Sequence, residues 1–178
     1  MDEHRKLRMR IFRLFKQGQL KEAVELFESN NMDYFETAPT DKWNWLHQLS
    51  MGFNPDEPPK RTIEFFIEKG VPIDAQDIYG MTPLHYAMRG ENAEAAIALL
   101  EAGANPNVPN IDNVIPLAMI GGMPERLDLL KLMLDKGANM HYKNGDNELS
   151  IVNSMKKHLG NQEKFIPVIQ LLEQYALK

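Results

Sequence analysis

Apolar residues recur along the chain in short runs at helical spacing, and the runs come in pairs. Residues 4–17 place Leu7, Ile11, Leu14 and Phe15 at i, i+4, i+7 and i+8, one face of a helix. Gly18 breaks that pattern, LKEAVELF restarts it from Leu20, and Ser29, Asn30 and Asn31 close it. The clearest pair lies between Asp77 and Asn107. Asp77 and Gly80 predict a tight turn, the first through side-chain bonds to backbone and the second through a positive φ. Thr82 then offers an N-cap and Pro83 a pre-set φ, with Leu84 and Ala87 on one face. Gly90 and Asn92 interrupt, and a second helix with Ala95, Ala96, Leu99 and Leu100 inward ends at Gly103. Residues 32–70 repeat the scheme with Trp43 and Trp45 astride the cap, Leu46 and Leu49 inward, and Ile63, Phe66 and Ile67 in the second helix. Between those helices the segment MGFNPDEPPKR is stiffened by Pro55, Pro58 and Pro59, and reads as a tolerated loop. The last pair is KNGDNELSIVNSM and FIPVIQLLEQYALK, where Pro167 either starts the final helix or kinks it.

One such unit cannot bury its own apolar stripe and needs neighbours. They are present. A leucine after the cap recurs as Leu46, Leu84, Leu117 and Leu149, at spacings of 38, 33 and 32, and a closing glycine as Gly70, Gly103 and Gly137, at 33 and 34. The T-P-L-H followed by A, the closing G-A-N and a period near 33 resemble the ankyrin repeat. Elsewhere the motif is worn: Asn44, Trp45, Leu46 and His47 in the first copy, Ile115, Pro116, Leu117 and Ala118 in the third, Asn147, Glu148, Leu149 and Ser150 in the fourth. The resemblance implies an all-α solenoid of stacked helix-turn-helix units with short turn fingers. Its expected divisions are a capping helix pair over 1–31, repeats over 32–74, 75–107 and 108–141, and a closing repeat over 142–178.

Composition suits one continuous core, with 43% apolar and 25% charged residues in 178. The absence of cysteine removes disulfides, thiol nucleophiles and thiolate metal sites, and fits a reducing compartment. The start MDEHRKLRMR is charged throughout and no apolar run has the length of a membrane span, so a cytoplasmic protein is expected. Charge is polarised along the chain. Seven Lys or Arg against Asp2 and Glu3 give residues 1–21 a charge of +5, which leaves −10 for the rest of a chain whose total is −5. The basic helix is expected to be the solvated face of an end unit; its alternative is a tether to membrane or nucleic acid.

Nothing in the sequence spells catalysis. Phosphate-loop, dinucleotide, nucleophile-elbow and H-E-x-x-H motifs are absent, and Asp56, Glu57, Asp74, Asp77, Asp112 and Asp146 lie mostly in turns, where carboxylates serve capping. His47 and His85 occupy equivalent places, and the resemblance makes that histidine structural, bonded within its turn and to the next repeat. No enzyme activity, cofactor, metal or small-molecule substrate is expected.

What remains is a surface. The resemblance implies that a partner protein meets the turn fingers and the exposed edge of the first helices. Matching positions are Asp41, Ile78, Tyr79, Ile111 and Asp112 in the fingers, the column Trp43, Met81, Val114 and Asp146 before each cap, and Arg89 near the end of a first helix. Met51, Met123 and Ser154 share the last column. Apolar column residues either pack on neighbouring fingers or anchor a partner, and Trp43, Tyr79 and Met81 are expected to anchor. Acidic Asp41, Asp112 and Asp146 around them favour a partner with a basic surface. Small acidic ankyrin proteins also resemble the immunity proteins that neutralise antibacterial toxins, which would make that partner a toxin domain.

Overall fold

The computed structural model describes residues 3–52, 54–145 and 148–177, and among them no β-strand occurs. Among the described residues nine α-helices follow one another: α1 (Glu3–Lys16), α2 (Leu20–Ser29), α3 (Trp45–Ser50), α4 (Lys60–Glu68), α5 (Pro83–Arg89), α6 (Ala93–Glu101), α7 (Leu127–Asp135), α8 (Ile151–Leu159) and α9 (Ile166–Ala176). A 3-10 helix, Pro116–Gly122, precedes α7 in place of an inner helix. Each pair packs on itself and on its neighbours, α3 on α4 and α5, α5 on α6 and the 3-10 helix, α6 on α4 and α7. The inner row is α1, α3, α5 and the 3-10 helix, and α4, α6, α7 and α9 pack one on the next in the outer row, with α2 on α1 and α8 on α9.

The core changes character along the stack. Phe15, Phe27, Trp45 and Phe66 form a closed aromatic cluster at the first two pairs, with ring centroids 4.8 to 6.4 Å apart. Its edge-to-face contacts suit ring quadrupoles. In the next pair Ala93, Ala95, Ala96 and Ala98 bring α6 close to its neighbours, around Leu84, Leu99 and Leu100. Leu117, Ile120, Leu129, Leu130 and Met133 continue the core. The closing glycines fall where the period puts them, and Gly70, Gly103 and Gly137 all take positive φ.

Two expectations shift. In the fourth copy the helix begins after Ser150, whose hydroxyl accepts the Asn153 N–H, so Val152 and not Leu149 takes the place of Leu46, Leu84 and Leu117. Leu149 is only half-buried while Val152 is buried. Ser150 is the N-cap here and its hydroxyl holds the Asn153 N–H, whereas matching leucine to leucine put the cap at Asn147, three residues earlier and outside the described residues. In the third copy Ile115 has no side chain to cap its helix and Ala118 replaces the histidine, so the segment tightens into the 3-10 form. Pro167 starts α9, standing at its second residue.

The proline-rich segment is more than a tolerated loop. The Glu57 carbonyl accepts from Lys16 Nζ at 2.9 Å and the buried Pro58 carbonyl accepts from Asn92 Nδ2 at 3.0 Å. Asn92 is itself the N-cap of α6. The segment therefore ties α1 to the third pair. Leu84→Ala and Leu117→Ala should each cost about 2–5 kcal/mol in urea unfolding, as expected for leucines filling the inter-repeat core. Val152→Asn should cost about 2 kcal/mol or more and Leu149→Asn clearly less; the reverse order would return the register to Leu149.

Candidate functional site

The site is built on two histidines. In α3 and α5 the backbone N–H of the N-cap, Asn44 or Thr82, donates to Nδ1 of His47 or His85 at 3.2 and 3.1 Å. The cap side chain in return accepts the histidine's own N–H, which closes a capping box. With Nδ1 accepting, the proton sits on Nε2, which donates to the carbonyl of the next finger: Met81 at 3.1 Å from His47, Val114 at 3.0 Å from His85. Burial pushes both imidazoles below their ordinary pKa, against the opposing pull of those carbonyls.

Asp77 is the second element. Its carboxylate accepts from the Tyr79 and Met81 N–H groups at 2.8 Å each, from Trp43 Nε1 at 2.8 Å and from the Tyr86 hydroxyl at 2.6 Å. Burial alone would raise its pKa, and the bonds from Tyr86, Trp43 and the two amides outweigh it and hold the carboxyl below the usual range. Burial and then Asp77 push the Tyr86 phenol up. Asn110 repeats the turn one finger later, accepting from Asp112 and Val114 N–H. Fingers are joined edge to edge through Ile78 N–H to the Asp41 carbonyl, Ile111 N–H to Tyr79 and Gly145 N–H to Asn113. Gly80, at φ +68°, stands so near the next finger that a Cβ would lie 3.0 Å from the Ile111 nitrogen.

These contacts redistribute the expected surface. Met81, expected as an exposed anchor, is 5% exposed: its carbonyl and N–H are both held by neighbours, and its sulfur accepts from Asn110 Nδ2 of the next finger. Trp43 is half-buried with its indole N–H committed to Asp77, and Val114 is half-buried beside it. The column before each cap is thus groove floor rather than fingertip. In the fourth copy that place belongs to Leu149, and Asp146 lies outside the described residues. Met123 is buried as well. The fingertips carry what the column was expected to carry: Ile78, Tyr79 and Ile111 are 44%, 50% and 67% exposed. Asp112 and Arg89 are exposed, while Asp41 is half-buried.

Trp43, Tyr79, Met81, Arg89, Asp112 and Val114 come together along a concave groove of about 710 Å³, joined by Met51, Tyr86 and Glu91. Tyr86 and Glu91 were not expected from the sequence. A tyrosine beside the inward Ala87 carries no pattern of its own, and only its bond to Asp77 makes it part of the site. Among the described residues no cluster of three or more His, Asp or Glu side chains is placed to hold a metal ion. No described helix is long and apolar enough to cross a membrane.

Known proteins share this pattern. A family profile described as ankyrin repeats (many copies) matches residues 46–100. A putative ankyrin repeat protein of Rickettsia bellii is 42% identical over 84 residues, 44% of this chain and 24% of that protein. A putative ankyrin repeat protein of Fowlpox virus is 28% identical over 93 residues, 52% of this chain and 13% of its own length. The ankyrin repeat protein nuc-2 of Neurospora crassa is 24% identical over 163 residues, covering 91% of this chain and 14% of itself. The chain thus spans a quarter or less of the curated relatives it matches.

Two consequences are measurable. The unfolded chain binds protons before the buried imidazoles do, so stability is full above pH ~6.5 and falls as pH drops below it. A urea series from pH 8 to 5 should show that slope, and it should flatten in His47→Gln/His85→Gln, which is less stable at pH 8. Tyr86→Phe should cost about 1.5–3 kcal/mol, the worth of a hydrogen bond to a charged acceptor, and little at all if Asp77 were neutral.

Proposed function

We propose that this chain, an ankyrin-repeat protein and so built as a protein–protein interaction scaffold, binds another protein non-catalytically along the concave groove and its finger rim. One observation carries the reading. Ile78, Tyr79 and Ile111 stand exposed on consecutive fingertips beside a groove floored by Trp43, Met81 and Val114. Large apolar side chains in a row over a cleft are costly to leave wet and are the residue types that bind partners tightly. Arg89, Asp41 and Asp112 supply the polar rim. The scaffold is already ordered by its histidine and Asp77 bonds, so little conformational entropy is lost on binding.

The finer proposal concerns the partner. With Glu91 and Asp112 at this end of the groove, and −10 beyond residue 21, a basic protein surface fits. We infer a toxin domain neutralised by an immunity function in the cytoplasm; a toxin gene directly upstream supports this, and an isolated gene returns the chain to a regulatory adaptor or effector. The tether alternative is disfavoured, because Lys6 pairs with Glu3, Arg10 with Glu22 and Arg8 with Glu36.

Capture of the tagged chain's partner from native lysate at physiological salt, read by mass spectrometry, tests the groove. The comparison is Tyr79→Ala/Arg89→Ala/Ile111→Ala, which avoids the residues holding the fold. A protein retained by the wild type and reduced at least ~10-fold by the variant is expected. Equal retention by both would place the interface elsewhere.

A further inference from the structure

The first helix has a second face that its core stripe conceals. Arg5, Met9, Phe12 and Lys16 recur at spacings of 4, 3 and 4, on the side of α1 turned away from Ile11 and Phe15. With Arg8 and Gln48 they line a groove of about 740 Å³ that continues the first one, since Trp43 and Met51 belong to both. Its floor is apolar: Met9 is 47% exposed and Phe12 is half-buried.

The charges here are opposite in sign to those at the far end. Arg5, Arg8 and Lys16 face Glu57 alone among the lining residues, whereas Glu91 and Asp112 outnumber Arg89 beyond Trp43. Two of the three cations are fixed by the fold. Lys16 Nζ donates to the Leu49, Met51 and Glu57 carbonyls at 3.0, 3.1 and 2.9 Å. Burial lowers its pKa, opposed by Glu57. Arg8 pairs with Glu36 and lies 4.8 Å from the centre of the Trp45 ring. Arg5 is exposed at the mouth.

We propose that this groove binds an acidic segment of the partner protein, anchored by an apolar side chain on Met9 and Phe12 with its carboxylates toward Arg5. The proposal rests on the concave-face reading above and adds a direction to it: the partner lies with an acidic stretch over α1 and its basic surface over the third finger. From Arg5 to Lys16 the helix rises about 16 Å, which an extended segment of about five residues spans. A carboxylate there gains from cations flanked by low-dielectric walls. An anionic bilayer is a poorer fit, because a flat surface reaches the exposed Met9 but not the half-buried Phe12 beside it.

The test is selection of phage-displayed random peptides on the immobilised full chain, with synthetic copies of the enriched sequences titrated by fluorescence anisotropy. Two variants are titrated beside the wild type: Arg5→Glu/Met9→Ser for this groove and Tyr79→Ala/Ile111→Ser for the finger end. Arg5→Glu alone, at an exposed position, replaces the double variant if thermal melting shows that the pair disturbs folding. Expected are peptides joining Asp or Glu to an aromatic or aliphatic residue, weakened at least ~10-fold by the first variant and under ~2-fold by the second. Peptides that are basic, or indifferent to Arg5→Glu, overturn the proposal. Peptides lost only with Tyr79→Ala/Ile111→Ser overturn it while leaving the concave-face reading standing, and peptides indifferent to both variants overturn the two together. Binding to phosphatidylserine vesicles that Arg5→Glu abolishes, with no acidic peptide enriched, overturns it in favour of a membrane.

Discussion

A buried imidazole that faces two ways is the bond on which the stack depends. A short helix leaves its first amide groups without partners, and a finger laid over it leaves a carbonyl in the same position. His47 and His85 settle both needs with one ring, taking an N–H from their own cap on Nδ1 and giving the Nε2 proton to the next finger's carbonyl. Each ring is neutral because it is buried, and the neutral form is the only one that can accept and donate at once. Helix α5 has only the seven residues Pro83–Arg89, too few to persist alone, and it is held from both ends by its neighbours.

The third copy has neither that ring nor a capping side chain. Ala118 stands where the histidine would be, Ile115 offers no cap oxygen, and the segment winds as a 3-10 helix. The neighbouring finger answers in part: Asn144 Oδ1 accepts the Ile115 N–H at 3.2 Å. Asp77 plays the complementary role in the second finger, where one carboxylate organises two amides, an indole and a phenol. Its position fixes Trp43 and Tyr86 as groove walls, so the shape offered to a partner is set by bonds within the scaffold.

Much of the fold was legible because its signals are local. Thr82, Pro83, Gly103 and the apolar faces of the helices act within a few residues of themselves, and the repeat period then multiplies each signal. The histidine role followed from the family resemblance and the structure bears it out. What was illegible depends on partners far along the chain. Met81 reads as a fingertip until His47, 34 positions earlier, claims its carbonyl. Lys16 reads as a solvated cation until three carbonyls, of Leu49 in α3 and of Met51 and Glu57 after it, surround it. The fourth register slipped by three residues because a leucine was matched to a leucine, when the capping serine decides where a helix starts. Ile78, Tyr79 and Ile111 were legible as exposed finger positions, while Trp43, Met81 and Val114, read as part of the same edge, lie half-buried or buried behind them.

Cross-ties through the proline-rich segment give the stack an uneven mechanics. In a regular solenoid each unit touches only the next, and unfolding can start at any end and travel. Here Lys16 binds the Glu57 carbonyl and Asn92 binds the Pro58 carbonyl, so the segment clasps α1 on one side and the start of α6 on the other. The first three helix pairs thereby share one loop that binds the pair on either side of its own, while the 3-10 copy and the one after it are joined by helix packing and by finger bonds such as Asn107 Nδ2 to the Gly137 carbonyl and the Asn139 N–H to Asn107 Oδ1. Amide hydrogen exchange would divide the molecule along that line: α1 to α6 opening together as one slow unit, and the residues from Pro116 onward opening more often and by themselves.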